Sequence, residues 1–98
     1  MNVKVVKLVT NEEVVCEVVD NGSTITIKNP IMAVPVPGED GHMGLALASW
    51  MMMSKEKETE ISKNHIICIV EPKDEIYNHY SQTCGVGLVI PEKGSIQI

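Results

Sequence analysis

Ninety-eight residues and 10.8 kDa leave room for one domain. Its core would cover only about 60 to 70% of the surface the unfolded chain exposes, so a partner subunit would help it and an enclosed active-site cleft is not expected. The chain holds 13 Val and 11 Ile against 4 Leu and 3 Ala; such β-branched apolar mass suits strands and excludes an all-helical bundle. A net charge of −5, with eight Lys and no Arg, removes whole-molecule attraction to nucleic acid or to an anionic membrane, so any polyanion site must be local.

Residues 2–10 (NVKVVKLVT) and 13–20 (EVVCEVVD) read as two strands around a tight turn at Asn11 and Glu12. In the second run Val14, Cys16 and Val18 share one face while Glu13 and Glu17 share the other, the pattern of a half-buried strand. Asp20-Asn21-Gly22-Ser23 follows, and its Asn-Gly pair suits a type I′ turn. TITIK then alternates, with Ile25 and Ile27 inward and Thr24, Thr26 and Lys28 outward. Asn29-Pro30 is expected to interrupt this strand, because proline donates no ladder hydrogen bond. In IMAVPVP, Pro35 and Pro37 lie on one side, which belongs at an edge or bend, and Met32, Val34 and Val36 would point towards a core.

PGEDG reads as a loop leading into MGLALASWMMM. Local propensity from Leu45 to Glu58 favours a helix, whereas pairing across the loop with IMAVPV favours a strand. We read it as a strand, with Leu45 and Leu47 on one face, Ala46, Ala48 and Trp50 on the other, and Met51, Met52 and Met53 packed in a core or a subunit interface. SKEKETEISK reads as a charged, solvated turn or hairpin extension. HIICIVEP carries apolar residues on both faces, the mark of a central or doubly covered strand that Pro72 ends. PKDEIYNHYSQTCG is the one expected helix: its first turn holds a proline and two acids, Ile76, Tyr77 and Tyr80 form a stripe, and Gly85 can cap it. The tail VGLVIPEKGSIQI returns to strand-like composition.

Chemistry-bearing patterns are sparse. Cys16, Cys68 and Cys84 are odd in number and widely spaced, which suits buried thiols rather than disulfides or a metal knuckle. His42, His65 and His79 share no metal-ligand spacing, and Cys68 and His65, three apart on a strand, fall on opposite faces. No nucleotide-binding or hydrolase fingerprint occurs. Neither an enzyme nor a cofactor or metal is therefore expected. Apolar runs fall far short of the ~20 residues of a membrane helix, and MNVKVVKLVT lacks a cleavable signal pattern, so the expectation is a soluble cytoplasmic protein with no membrane partner.

The strand segments, bent at Gly44 and Asn29-Pro30, suit a small, strongly curved barrel. If the LALASWMMM run were helical, an OB barrel would compete; as a strand it favours an SH3-like barrel. VKLVTNEEVVCEVVDNGSTITIKNP resembles the first three strands of an Sm-like protein. KNHIICIVEP is similar to the KHAISTVVP-type ending of Hfq, the bacterial Sm-like RNA chaperone, with Asn64-His65 where the Lys-His pair stands and Pro72 where the closing proline stands. ITIKNP is similar to the third Hfq strand. The chain as a whole is more similar to short, uncharacterised Sm-like proteins of viral and marine origin, with a long third-to-fourth-strand hairpin and a C-terminal helix.

The resemblance implies a mostly β, five-stranded Sm-like (SH3-like) barrel over residues 1–72, with residues 73–98 as a C-terminal helix and strand-like tail packed on it. It implies self-association through the fourth and fifth strands into a homo-oligomeric ring. It also implies a pore at which Asp20, Asn21, Lys63, Asn64 and His65 meet single-stranded RNA. Amides and imidazole can hydrogen-bond base edges, and lysine can meet phosphate. The family's Met-Asn pair after the aspartate and its Arg-Gly pair in the final loop are both missing. A structural or protein-interaction scaffold, with the helix docking a partner or sealing the subunit, is the other class the sequence supports.

Overall fold

The computed structural model describes residues 2–84 and 96–97. In chain order they form β1 (Val3–Leu8), β2 (Glu13–Asp20), β3 (Thr24–Pro37), β4 (Met43–Ser49), β5 (Glu58–Ser62), a 3-10 turn (Lys63–His65), β6 (Ile66–Val70), α1 (Asp74–Cys84) and β7 (Ile96–Gln97). The sheet runs β6-β1-β2-β3-β4-β7, with β5 also paired to β3, and every pairing is antiparallel. The fold is thus mostly β and strongly curved, as expected, with one C-terminal helix. The remaining tail residues, including Gly85, expected as the helix cap, lie outside the described residues, and so does the Cys84 side chain.

β1 and β2 pair as the alternation requires, from Val3 opposite Glu17 to Lys7 opposite Glu13. Asn11, at φ 76°, supplies the left-handed residue of their turn. The next turn differs from expectation, because Gly22 takes a positive φ (96°) and Asn21 does not. That excludes a type I′ turn, which needs both. Asp20 explains the departure: its Oδ1 accepts the Gly22 N–H at 2.8 Å, an Asx turn that fixes the loop locally.

Nor is β3 broken at Asn29-Pro30; it bends there. Asn29 adopts φ 48°, and the register to β2 slips by one between Val15 and Glu17. A bulge of this kind re-aims a strand without ending it. Before the bend, β3 pairs with β2 and β5; beyond it, Ile31 still meets Val15 of β2 and the strand from Ile31 on pairs with β4. The N–H of Trp50 donates to Pro30 O and that of Gly38 to His42 O, which sets the even-numbered residues of the far half against β4. The odd-numbered Pro35 and Pro37 therefore turn their missing donors to the unpaired edge, a device that discourages strand addition. The expectation that Met32, Val34 and Val36 face a core is corrected: Val34 is exposed and the other two are half-buried.

Two apolar clusters lie on opposite faces of the sheet. Val6, Leu8, Val14, Cys16, Ile25 and Ile27 fill the barrel interior, and Val3, Val15, Ile31 and Leu47 pack beneath Tyr80 of α1. Strict alternation in β2 sends Val14 and Cys16 one way and Val15 the other. Tyr80 is fully buried, and its hydroxyl donates to Lys28 O at 2.9 Å, beside the bend of β3. Of the expected helix stripe, Ile76 is half-buried and Tyr77 is exposed.

Several expectations fail on the surface. Met43–Ser49 is a strand, but Trp50 leaves it: its indole N–H donates to Glu12 Oε2 at 3.2 Å. Met51, Met52 and Met53 then form an exposed turn, which corrects their placement in a core and leaves the subunit-interface placement untouched. The charged connection contributes β5, because Thr59 and Ile61 alternate with Glu58 and Glu60 opposite β3. β6 is an edge strand paired only to β1 among the described residues, so the doubly covered reading is corrected. Ile67, Ile69 and Val70 are 56%, 40% and 48% exposed.

The cysteine expectation holds for Cys16 and fails for Cys68, which is exposed on β6. Burial pushes the Cys16 thiol up to about 12, so it stays protonated, and only the thiolate is a nucleophile. Alkylation with iodoacetamide at neutral pH, mapped by peptide mass spectrometry, should leave Cys16 unmodified in the native protein and modify it once denaturant is added. Rapid native labelling of Cys16 would contradict its placement in the barrel core.

Candidate nucleic-acid interface

Antiparallel pairing of β5 with the first half of β3 sets Thr24 opposite Ser62. The end of β5 therefore lands beside the β2–β3 turn, and the two loops zip together. The N–H of Lys63 donates to Ser23 O at 3.1 Å, and its ammonium Nζ donates to Asp20 Oδ1 at 2.9 Å. These two residues are 43 apart in sequence, so only the strand register brings them into contact. The lysine, followed by the Gly22 N–H, holds the Asp20 carboxyl below the ordinary aspartate range.

Asn21 Nδ2 donates to Thr26 Oγ1 at 2.9 Å and reaches Glu60 Oε2 at 3.5 Å. Glu60 Oε2 also accepts the Thr24 hydroxyl at 2.6 Å. In the 3-10 turn, Ser62 Oγ accepts the Asn64 N–H at 3.2 Å, while His65 O accepts the Val9 N–H at 2.9 Å and ties the turn to the end of β1. The side chains of Asn64 and His65 are exposed. The structure thus joins Asp20 and Lys63 directly, ties the neighbouring Asn21 to Thr26 and Glu60 instead, and sets Asn64 and His65 on the same short turn as Lys63.

Sequence reasoning missed Glu60, Thr24 and Thr26 as members of this cluster. Period-two alternation in KETEIS was the available signal, and it implies that Glu60 stands on the outward face beside Thr24 and Thr26. Chemically the cluster offers amides, hydroxyls and an imidazole for hydrogen bonding, with one ammonium against two carboxylates.

Away from this cluster, a concavity of about 390 Å³ lies at the foot of α1 between Asn2, Val3, Lys4, Glu71, Pro72, Asp74 and Tyr77. Lys4 is already bridged to Glu71 at 2.6 Å, and the lining contains no Cys, His or Ser. Among the described residues no group of three or more His, Cys, Asp or Glu could hold a metal ion, and no helix is long and apolar enough to cross a membrane.

Compared with known protein families, the chain matches the model of the Sm_like domain over residues 5–81, from β1 through most of α1. No curated protein matches it.

Proposed function

Because the chain belongs to the Sm-like domain family, whose members are commonly oligomeric and RNA-associated, we propose that it is the subunit of a homo-oligomeric ring that binds single-stranded RNA. In this reading residues 1–72 build the ring and residues 73–98 are its C-terminal helix and tail. The observation that carries it is β6: an edge strand with exposed Ile67, Ile69 and Val70 is a template for another chain. β5 offers the complementary edge, since it pairs only with β3 among the described residues, whereas the edge of β4 takes β7. Joining β5 of one copy to β6 of the next removes both edges and closes by rotation.

The loops at Asp20, Asn21 and Lys63, Asn64, His65 then face the pore from each subunit. Asn21, Asn64 and His65 read base edges and Lys63 meets phosphate. A second reading, a ring that serves as a structural or protein-interaction scaffold, is favoured by one observation: Asp20 already neutralises Lys63, and Glu60 adds a second carboxylate beside Asn21.

Light scattering on the purified chain, with and without short oligo-U and oligo-A RNA at low and physiological salt, tests both. A multimer is expected that retains RNA, with log affinity falling by about 0.7 per phosphate contact for each decade of salt. A multimer that ignores RNA leaves the scaffold, and a monomer overturns the ring.

A further inference from the structure

Two donors converge on one oxygen at the β2–β3 turn: Lys63 Nζ at 2.9 Å and the Gly22 N–H at 2.8 Å, both on Asp20 Oδ1. An ammonium and a backbone amide aimed at the same point form an anion site, and here a side chain of the chain itself fills it. We propose that this is a phosphate site held closed by Asp20, which a phosphate of single-stranded RNA opens by displacing the carboxylate. The inference rests on the RNA reading of these loops and assigns Asp20 a role within it: Asp20 competes with the ligand and contacts no base.

Three features support displacement over a permanent pair. The side chains of Lys63 and Asp20 are 40% and 69% exposed, and exposed ion pairs are held weakly and screened by salt. The turn is uncovered: Gly22 is exposed, and apart from its chain neighbours nothing lies within 4 Å of where a Cβ would stand there. The other nearby carboxylate, Glu60, already accepts the Thr24 hydroxyl and the Asn21 amide on Oε2, so that oxygen is committed before Asp20 leaves. The exposed side chains of Asn64 and His65, next to Lys63 on the same turn, are placed to meet the base attached to that phosphate.

Asp20→Asn is the informative variant. Its amide oxygen can still accept the Gly22 N–H and preserve the turn, while the negative charge is gone. Binding of short oligo-U to the full chain is measured by fluorescence anisotropy at low and physiological salt, for wild type, Asp20→Asn and Asp20→Asn/Lys63→Gln. In parallel, amide chemical shifts at Gly22 and Lys63 are followed by NMR as inorganic phosphate is added.

Asp20→Asn should bind RNA roughly three- to tenfold more tightly at low salt, with the gain lost in the double variant. Phosphate should shift Gly22 and Lys63 more in Asp20→Asn than in wild type. If wild type binds RNA and Asp20→Asn binds no better, the inference falls and the RNA reading stands. If neither binds RNA, the RNA reading falls. The phosphate titration then decides the anion site alone: larger shifts in Asp20→Asn retain it, and shifts no larger than in wild type overturn it.

Discussion

Tyr80→Ala is expected to destabilise the protein by about 3 to 5 kcal/mol, the usual range for removing a fully buried aromatic from a core. Tyr80 is 0% exposed and covers Val3, Val15, Ile31 and Leu47, which come from four different strands. Its loss opens a cavity where β1, β2, β3 and β4 meet. The hydroxyl bond to Lys28 O adds about 0.5 to 1.5 kcal/mol, which Tyr80→Phe isolates. A domain of this size has roughly 5 to 15 kcal/mol in all, and each 1 kcal/mol moves its melting temperature by about 4 to 8 °C. Thermal unfolding followed by circular dichroism should therefore show a fall of at least ~12 °C for the alanine variant and a few degrees for phenylalanine. Tyr77→Ala, at an exposed position of the same helix, should change little. Equal effects at Tyr77 and Tyr80 would mean that α1 does not seat on the sheet through Tyr80.

What was legible in the sequence follows from which constraints are local. The first half of β3 could be read because one face alternates against the barrel core, and a one-residue slip would turn Ile25 and Ile27 to solvent; β1 and β2 were legible as β-branched runs, but the half-buried reading of β2 missed that Val15, like Val3 of β1, packs on the second face under Tyr80. The strand at Met43–Ser49 was harder, because Ala, Leu and Met favour a helix locally. Residue-by-residue pairing from Ile31 opposite Ser49 to Pro37 opposite Met43 overrides that preference. Nothing local announced that Trp50 would leave the strand, since its partner Glu12 lies 38 residues away.

HIICIV failed for a more instructive reason. Apolar residues on both faces say that a strand is to be covered, without saying by which chain. Among the described residues β6 is an uncovered edge, which is why the proposed assembly starts from it. The candidate site was half legible: Asn-Gly and Lys-Asn-His mark turns, but the ion pair joining them exists only once β5 has found its register on β3. Glu60 stayed hidden because the charges of SKEKETEISK mask its alternation.

The same edge makes the sharpest prediction for assembly. Ile67 is 56% exposed and has no partner in the register to β1, which passes from Cys68 to Ile66; Val70 is 48% exposed at the end of the strand. Lysine at both positions leaves the subunit core alone, where surface changes usually stay within about ±0.5 kcal/mol, yet sets two charges on a strand edge that must pair. Full burial of an aliphatic side chain contributes about 1.5 to 3 kcal/mol. Half-exposed Ile67 and Val70 together should therefore supply about 2 to 3 kcal/mol to each joint, a factor of roughly 30 to 150 in its association constant, before the penalty of desolvating two ammonium groups. Ile67→Lys/Val70→Lys is thus expected to sediment as a folded monomer where the wild type sediments as a multimer. Its melting temperature should be independent of protein concentration, whereas that of the wild type should rise with it. Cys68, exposed between these two positions, reports the same event chemically: iodoacetamide should modify it quickly in the monomeric variant and slowly in the wild-type assembly. A variant that stays multimeric with Cys68 still protected would place the subunit contact elsewhere than β6, and a wild type that is monomeric at every concentration would remove the ring altogether.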